Sequence, residues 1–322
     1  AVIAVFLGFD LINGRITLFP ALGILILAPE YFLPIRNFAG DFHATLNGKN
    51  AFAKARQLIA QPIPQSADLS LQPWTNDDEF DIHQLAFQYP HGMKLEPFSL
   101  HLKGYQKVGI IGMSGSGKTT LINLLSGFLT PASGKVSLSG QESTTLNIPA
   151  WHQQITYIPQ TPYVFTTSLR ANIAFYTPDV TDEQIRAAIH VVGLDDLLDA
   201  LPDDLDTVIG AGKRALSGGQ AQRIALARAF LDQKRKVMFF DEPTAHLDIE
   251  TELDLKKRML PLMKNHLVFF ATHRLHWMAQ MDYILVMDHG RLVEQGTYDE
   301  LAVKQGAFTK LIERMRGDND VQ

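Results

Sequence analysis

The sequence predicts an α/β fold with a mixed β-sheet core, preceded by an apolar, all-helical segment. Three observations lead to this prediction. The stretch "VGIIGMSGSGKTTLINLL" has the pattern of a β-branched strand, a glycine-rich turn and a helix. The stretch "VMFFDEPT" has the pattern of a second buried strand that ends in two acidic residues. The first 35 residues, in contrast, carry only three charges, on Asp10, Arg15 and Glu30.

The composition excludes several classes of protein. The chain has 322 residues, 46% of them hydrophobic and 20% charged, which is ordinary for a globular protein and long enough for two domains. The net charge of −5, without a basic domain, argues against nucleic acid as a partner. Because the sequence contains no cysteine, disulfides and thiolate metal sites are excluded.

The N-terminal region predicts a membrane segment. The opening "AVIAVFLGF" is too short to cross a bilayer and lacks the basic region of a signal peptide, so we expect a cut inside a longer protein. After a polar turn around Asn13-Gly14, residues 16–35 carry one charge and would span about 30 Å as a helix. Neighbouring membrane helices can satisfy the carbonyls that prolines free. The alternative is a buried core helix of a soluble domain.

Charge indicates the orientation of this segment. Basic residues outweigh Asp41 after it, so its C-terminal side is expected in the cytoplasm; they are Arg36, Lys49, Lys54 and Arg56. Glu30 lies near that end, shortly before Arg36. A carboxylate at this depth either faces a transport pathway or extends to the membrane interface, and the sequence leaves both open.

The expected domain boundaries follow from composition. Residues 1–57 are predicted to be the C-terminal part of a transmembrane domain, with an amphipathic helix over residues 41–59 leaving the membrane. Residues 58–79 are rich in Pro, Ser, Gln and Asp without periodicity and are predicted to be a linker. A soluble domain is expected over residues 80–318.

The glycine-rich turn predicts a phosphate-binding loop. Residues 112–119 match GxxxxGK[ST] between a strand and a helix, so backbone N–H groups can surround the phosphates of a nucleotide. Lys118 would reach the β/γ oxygens and the Thr119 hydroxyl would bind Mg²⁺, which predicts ATP and Mg²⁺ as ligands. The predicted ATP-binding residues here are Gly112, Met113, Ser114, Gly115, Ser116, Gly117, Lys118, Thr119 and Thr120.

The acidic pair after the second strand predicts the rest of the catalytic chemistry. Residues 237–240 indicate a buried parallel strand, and ligands of open α/β sheets bind at strand C-termini. Asp241 is therefore expected to hold the Mg²⁺ with its water shell, and Glu242 to polarise the attacking water as general base.

A second anion site is predicted by "LSGGQ" at residues 216–220. Ser217 and the N–H groups of Gly218 and Gly219 cap a helix N-terminus, which suits a γ-phosphate. Since the phosphate-binding loop already serves one nucleotide, we expect this site to serve the nucleotide of another subunit. Downstream of a phosphate loop and upstream of a DE strand, the segment resembles the signature of ABC-type ATPases.

The resemblance covers the chain from about residue 80 and implies further roles. Tyr89 matches the aromatic residue that stacks on adenine, and Gln160 the glutamine that contacts Mg²⁺ and the attacking water. His273 matches the switch histidine at the γ-phosphate. Gln220 and Asp248 complete the set expected opposite the ATP of a partner: Ser217, Gly218, Gly219, Gln220 and Asp248. Two positions depart from the family: Ala211 replaces a common glutamate before the signature, and Tyr105 a common acidic residue.

The resemblance also implies an architecture. It comprises a mixed α/β ATPase core, an antiparallel β-subdomain near residues 81–103 and a helical subdomain over residues 168–231, preceded by the last one or two helices of an exporter transmembrane domain. Two such ATPase domains would enclose two ATP molecules head to tail. Closure would favour the outward-facing state of the membrane halves, and hydrolysis would reset them.

The stretch "LAPEYFLPIRNFAGDFHA" resembles the last transmembrane helix of CydD-like subunits in the heterodimeric exporters that serve cytochrome bd assembly. This resemblance implies export of cysteine and glutathione across the bacterial inner membrane, a cytoplasmic ATPase domain, a second half-transporter as partner and contact with membrane lipids. Three alternatives remain: an exporter of lipid, drug or peptide; a soluble ABC ATPase of DNA repair or translation; and a regulatory subunit without catalysis.

Overall fold

A computed structural model describes residues 2–60, 66–90, 92–210, 212–214, 216–245 and 247–319, without the side chains of residues 32, 35, 36, 39 and 316–319. Ala211 and the Arg36 side chain, both used in the sequence analysis, lie outside this described part. The chain divides into two compact units, Ala1–Ile63 and Pro64–Gln322. Each unit is described by itself.

The N-terminal unit is a pair of helices joined by the predicted turn. They are α1 (Val2–Ile12) and α2 (Leu18–Ile59), and Gly14 adopts a positive φ of 70° between them. Pro20 lies in the first turn of α2, where its missing N–H costs no helical hydrogen bond. Pro29 and Pro34 lie inside the helix.

The helix predicted over residues 16–35 and its amphipathic continuation over residues 41–59 are observed as one helix of 42 residues, which begins at Leu18. Each interior proline removes one hydrogen bond, but no turn-forming cluster follows that would end the helix. Among the described residues, no helix is both long enough and apolar enough to cross a bilayer. The predicted membrane span over residues 16–35 is therefore not found in the structure.

The second unit contains twelve strands and nine further helices within the described residues. The strands are β1 (Glu79–Gln88), β2 (Lys94–Lys103), β3 (Lys107–Ile111), β4 (Ser133–Leu138), β5 (Gln141–Ser143), β6 (Ile155–Ile158), β7 (Thr167–Ser168), β8 (Val208–Ile209), β9 (Val237–Asp241), β10 (Leu267–Thr272), β11 (Tyr283–Asp288) and β12 (Arg291–Gly296). The helices are α3 (Lys118–Leu125), α4 (Pro149–His152), α5 (Leu169–Ile173), α6 (Asp182–Val191), α7 (Asp195–Asp199), α8 (Gly218–Leu231), α9 (Ile249–Leu262), α10 (Tyr298–Val303) and α11 (Ala307–Asn319). Two 3₁₀ helices span Asp204–Asp206 and Leu275–Gln280.

The central sheet is mixed, as predicted. Its order is β12-β11-β3-β10-β9-β6, and only the β12–β11 pair is antiparallel. Because β3, β6, β9 and β10 are parallel neighbours, their carboxyl ends meet at one edge of the sheet. The segments that follow these strands contain the phosphate-binding loop, Gln160, Glu242 and His273.

Both faces of this sheet are buried, which explains its continuous apolar strands. Val237 and Phe239 of β9 pack into one hydrophobic cluster, whereas Met238 and Phe240 pack into the other. The first cluster also contains the antiparallel sheet, whose order is β2-β1-β4-β5. This sheet confirms the predicted antiparallel subdomain and extends it beyond residues 81–103.

The second cluster contains the helical subdomain. Buried residues of α5, α6 and α8 pack there, so α5 to α8 account for the helices expected over residues 168–231. The predicted linker differs from expectation in its second half. Trp74 is 3% exposed and donates its indole N–H to the carbonyl of Gly104 at 3.0 Å. The polar residues around Trp74 gave no indication that its side chain is buried.

Candidate functional site

A cavity of about 940 Å³ lies at the carboxyl edge of the central sheet. It brings together most of the ATP-binding and catalytic residues predicted from the sequence, with several apolar ones. Its lining residues are Met93, Met113, Ser114, Gly115, Gly117, Lys118, Thr119, Thr120, Gln160, Glu242, Ile249, His273, Arg274, Leu275, His276 and Met315. Gly112, Ser116 and Asp241 are buried.

The phosphate-binding loop connects β3 to α3 and has its own lysine folded against it. Lys118 is 5% exposed, and its Nζ donates to the carbonyls of Gly112 at 3.0 Å and Met113 at 3.2 Å. Gly117 caps α3 with φ +104°, a conformation that favours glycine. The loop therefore presents an ammonium group and a helix N-terminus together, which is an anion site.

The turn between β11 and β12 supports this loop from behind. The N–H of Gly290 donates to the Ser116 carbonyl at 2.9 Å, and the Gly290 carbonyl accepts from the N–H of Glu96 at 2.8 Å. A Cβ atom on Gly112 would lie 2.4 Å from the Met287 carbonyl oxygen, so only glycine fits there. Sequence reasoning missed Gly290, because "DHG" indicates a turn without indicating what the turn contacts.

The Thr119 hydroxyl and the Asp241 carboxyl group form a hydrogen-bonded pair of oxygens. Thr119 Oγ1 donates to Asp241 Oδ1 at 3.1 Å. Asp241 is 2% exposed, and burial raises the pKa of its carboxyl group while the Thr119 hydrogen bond opposes that shift. Mg²⁺ prefers one or two protein oxygens completed by waters and phosphates, so this pair fits the predicted cation. Within the described ranges, no cluster of three or more His, Cys, Asp or Glu side chains could bind a metal.

Glu242 contacts three polar side chains of the cavity wall. Its carboxylate lies 3.4 Å from Lys118 Nζ and 3.2 Å from His273 Nδ1, and it accepts from Gln160 Nε2 at 3.3 Å. The hydrogen bond with His273 lowers the pKa of Glu242, with a further contribution from Lys118 against an opposing effect of burial. Glu242 has φ +48°, a strained backbone conformation of the kind that clusters at active sites. Glu242 is thus held as an anion where it can accept a proton.

The signature segment lies on a separate cavity of about 400 Å³. Ser217 caps α8: its Oγ accepts from the N–H of Gln220 at 3.1 Å, and the Gln220 side chain accepts from the N–H of Ser217 at 3.0 Å. Asp248 caps α9 and also lines this cavity. The two cavities share no lining residue, so one chain does not bring its own signature to its own phosphate-binding loop.

Tyr89, predicted to contact adenine, does not lie in the wall of the large cavity. Its ring packs edge-on against Phe87 at 4.7 Å, and its N–H donates to the Met93 carbonyl at 3.2 Å. Met93 lines the cavity instead, from the loop between β1 and β2. No signal in the sequence distinguished Met93 from other exposed loop residues.

This chain is similar in sequence to ABC transporter proteins of several bacteria. The sequence profile described as ABC transporter matches residues 95–245. The glutathione/L-cysteine transport system ATP-binding/permease protein CydC of Bacillus subtilis is 48% identical over 99% of this chain and 55% of its own length. CydD of Escherichia coli, of the same transport system, is 32% identical over 97% of this chain and 54% of its own. An ATP-dependent lipid A-core flippase of Ralstonia nicotianae is 35% identical over 79% of this chain and 43% of its own length.

A solved structure of a bacterial Atm1-family ABC exporter with ATP bound has a similar fold. It superposes with a TM-score of 0.71 at 26% identity, covering 97% of this chain and 55% of the exporter chain. The chain therefore spans about half the length of the relatives that it matches. Its fold, its motifs and these matches together show that it belongs to the ABC transporter family and contains the ATPase domain of that family.

Proposed function

We propose that this chain is the ATP-hydrolysing part of an ABC half-transporter that exports cysteine and glutathione from the bacterial cytoplasm. The observation that carries the ATPase proposal is the convergence of Lys118 and His273 on Glu242, whose carboxylate lies 3.4 Å from Lys118 Nζ and 3.2 Å from His273 Nδ1, at the edge of the sheet where the phosphate-binding loop begins. The similarity to two proteins named for glutathione and cysteine transport supports the substrate.

ATP binding is assigned to the phosphate-binding loop. Lys118 would exchange its carbonyl partners and Glu242 for the β- and γ-phosphate oxygens, because a phosphate is the stronger acceptor. The N–H groups of the loop would bind the same phosphates. Tyr89 is proposed to stack on adenine, with Met93 beside it at the cavity wall. The loop residues are those predicted: Gly112, Met113, Ser114, Gly115, Ser116, Gly117, Thr119 and Thr120.

Thr119, Asp241 and Gln160 are proposed to hold Mg²⁺ together with water. The cation would neutralise charge on the phosphate oxygens during transfer. Thr119 and Asp241 are already in hydrogen-bond contact, so these two ligands need no rearrangement to meet a cation between the loop and β9.

Hydrolysis is assigned to Glu242, with His273 and Gln160 as partners. Glu242 would accept a proton from the attacking water, since its lowered pKa keeps it ionised at neutral pH. Gln160 would orient that water, and His273 would contact the γ-phosphate. The contacts that Gln160 and His273 each make with Glu242 support these roles.

The second half of each ATP site is proposed to come from a partner ATPase domain. Ser217 and the N-terminus of α8 offer hydrogen-bond donors to a γ-phosphate, and these residues lie on the separate cavity. A head-to-tail pair would complete two sites, each with one phosphate-binding loop and one signature. The residues contributed to the partner's site are Ser217, Gly218, Gly219, Gln220 and Asp248.

For the longer protein, the partner is proposed to be a second half-transporter, with membrane lipids around it and the ATPase domain on the cytoplasmic side of the bacterial inner membrane. Glu30, exposed on α2, is proposed to lie near the transport pathway. The similarity to a lipid A-core flippase supports a second candidate, export of a lipid, because the ATPase motifs serve both cargoes equally.

Transport in inside-out membrane vesicles tests the proposal. The longer protein and its partner subunit are assayed for ATP-dependent accumulation of labelled cysteine and glutathione, with Lys118→Ala as the matched control. Uptake that vanishes in the control supports thiol export. Intact ATPase activity without thiol uptake would contradict it, and uptake of labelled lipid in the same vesicles would replace it with the second candidate.

A further inference from the structure

We propose that Glu252 is a positioning residue for ATP hydrolysis. Its carboxylate, in the first turn of α9, contacts the loop after Glu242 and the arginine after His273. Through that arginine it is also linked to the turn before Asp248. These segments carry the proposed catalytic and partner-facing residues. This inference rests on the proposed ATPase function and extends it to a residue outside the recognised motifs.

One carboxylate oxygen of Glu252 accepts two hydrogen bonds. Thr244 Oγ1 donates to Oε1 at 2.6 Å, and the indole N–H of Trp277 donates to the same oxygen at 2.8 Å. Thr244 is 1% exposed, and Glu252 and Trp277 are fully buried. Thr244 lies two residues after Glu242, so this oxygen ties α9 to the loop that carries the proposed general base.

The other carboxylate oxygen pairs with Arg274. The Arg274 guanidinium forms an ion pair with Oε2 of Glu252, and its second terminal nitrogen donates to the Leu247 carbonyl at 3.0 Å. Arg274 directly follows His273, and Leu247 directly precedes Asp248. The planar guanidinium therefore joins the residue after His273 to the residue before Asp248, through Glu252 and the Leu247 carbonyl.

Because Glu252 is fully buried, its carboxylate depends on these hydrogen-bond and ion-pair partners. A fully buried carboxylate requires partners, because an unpaired charge in the interior is strongly unfavourable. Glu252 can therefore retain its place only with Arg274, Trp277 and Thr244 in theirs. When Arg274 is fixed, the neighbouring His273 stays 3.2 Å from Glu242. The same pairing fixes the Leu247 carbonyl at the start of α9.

The role is distinguishable from simple support of the fold. Lys118, Thr119 and the phosphate-binding loop make no described contact with Glu252, so nucleotide binding should survive its substitution. The rate of the chemical step should not, since displacement of reacting groups by about 1 Å can cost roughly 10²-fold. A split between turnover and ATP affinity is thus the expected signature of positioning.

The test compares Glu252→Gln with wild type and with Glu183→Gln, using the full 322-residue chain. Glu183 is an exposed glutamate in the first turn of α6, so its change controls for charge and helix position. Single-turnover hydrolysis gives the rate, and equilibrium binding of ATP gives the affinity. The indole N–H resonances of the three tryptophans report local structure.

In Glu252→Gln we expect hydrolysis about 10²-fold slower, with ATP affinity changed by less than about threefold. The Trp277 indole resonance should move while those of Trp74 and Trp151, which donate to the carbonyls of Gly104 and Leu125, stay in place. Hydrolysis at the wild-type rate, with the Trp277 resonance shifted, would overturn the inference.

A second variant covers the case in which Glu252→Gln does not fold. Thr244→Val keeps the shape of a side chain outside the cavity wall but removes the hydroxyl that donates to Glu252 Oε1 at 2.6 Å. The same loss of rate with retained ATP binding is expected, and an unchanged rate would overturn the inference. If the wild-type chain binds ATP without hydrolysing it, the proposed function fails instead, which is a different result from equal hydrolysis by wild type and variant.

Discussion

Replacing Glu242 by glutamine tests the assignment of the general base. The substitution keeps the shape of the side chain but removes its charge and its ability to accept a proton. General-base catalysis contributes about 10² to 10⁴ in rate. Because tenfold in rate is about 1.4 kcal/mol, the barrier should rise by roughly 3 to 5 kcal/mol.

The affinity for ATP, unlike the rate of hydrolysis, should not decrease in this variant. Glu242 lies 3.4 Å from Lys118 Nζ, and at that distance two unit charges interact by about 1 kcal/mol in water and about 5 kcal/mol at an effective dielectric constant near 20. In the variant this attraction no longer competes with the phosphates for Lys118. The dissociation constant for ATP should therefore stay the same or decrease.

The assay measures release of labelled phosphate in a single turnover and ATP binding by equilibrium dialysis. Glu142→Gln is a matched control, because Glu142 also lies 3.4 Å from a lysine, Lys135, but both side chains are exposed. It should change neither quantity, since exposed ion pairs contribute little. Turnover of Glu242→Gln within about threefold of wild type would refute the assignment of the base.

Three further predictions concern assembly and stability. Because the proposed ATP site takes its signature from a second molecule, ATPase activity per chain should fall on dilution, and a constant specific rate over a wide concentration series would contradict this. Trp74→Ala should lower the free energy of unfolding by about 3 to 5 kcal/mol in urea titrations, since a buried indole is lost; a change below about 1 kcal/mol would mean that residues before β1 do not stabilise the domain. Burial lowers the pKa of His266, so the unfolded chain binds the proton first and stability should fall as pH drops below about 6.5. In His266→Gln the loss of unfolding free energy with falling pH should be smaller by up to about 1.4 kcal/mol per pH unit. The same pH dependence of unfolding free energy in variant and wild type would exclude the effect.

The sequence predicted best what local pattern controls. The strand–turn–helix around the phosphate-binding loop and the buried strand before Asp241 follow from a glycine spacing and an apolar run, and the structure confirms both elements. Their meeting at one sheet edge followed from parallel topology. The assignment of individual site residues stays a prediction, supported by the distances within the cavity.

The features that sequence reasoning missed depend on contacts between distant residues. Glu252, in "DIETELDLKK", reads as one of several solvated charges, yet it is the carboxylate that α9 turns inward onto Arg274 and Trp277. Trp74 lies among prolines and polar residues that favour a linker, and only its fit between Gly104 and Trp151 makes it part of the core. Neither arrangement has a local period or spacing that could have predicted it.

The N-terminal helices show the same limit for apolar segments. The apolar pattern over residues 16–35 and the amphipathic pattern after it do not by themselves establish one uninterrupted helix, whereas α2 continues through both regions. Hydropathy reports a preference for apolar surroundings, but helix continuity depends on whether any residue ends the hydrogen-bond ladder. None between Pro34 and Ile59 does so.

Complementation between two inactive variants tests the central claim, that each ATP site is built from two chains. Lys118→Ala removes the phosphate contact, and Ser217→Asp keeps a good helix cap but opposes a negative charge to the γ-phosphate. Each variant alone should be inactive. When the two variants are mixed, some dimers should contain one of each chain. In such a dimer, one site combines the wild-type Lys118 of one chain with the wild-type Ser217 of the other. ATPase activity should therefore return. A mixture as inactive as its components would contradict the account.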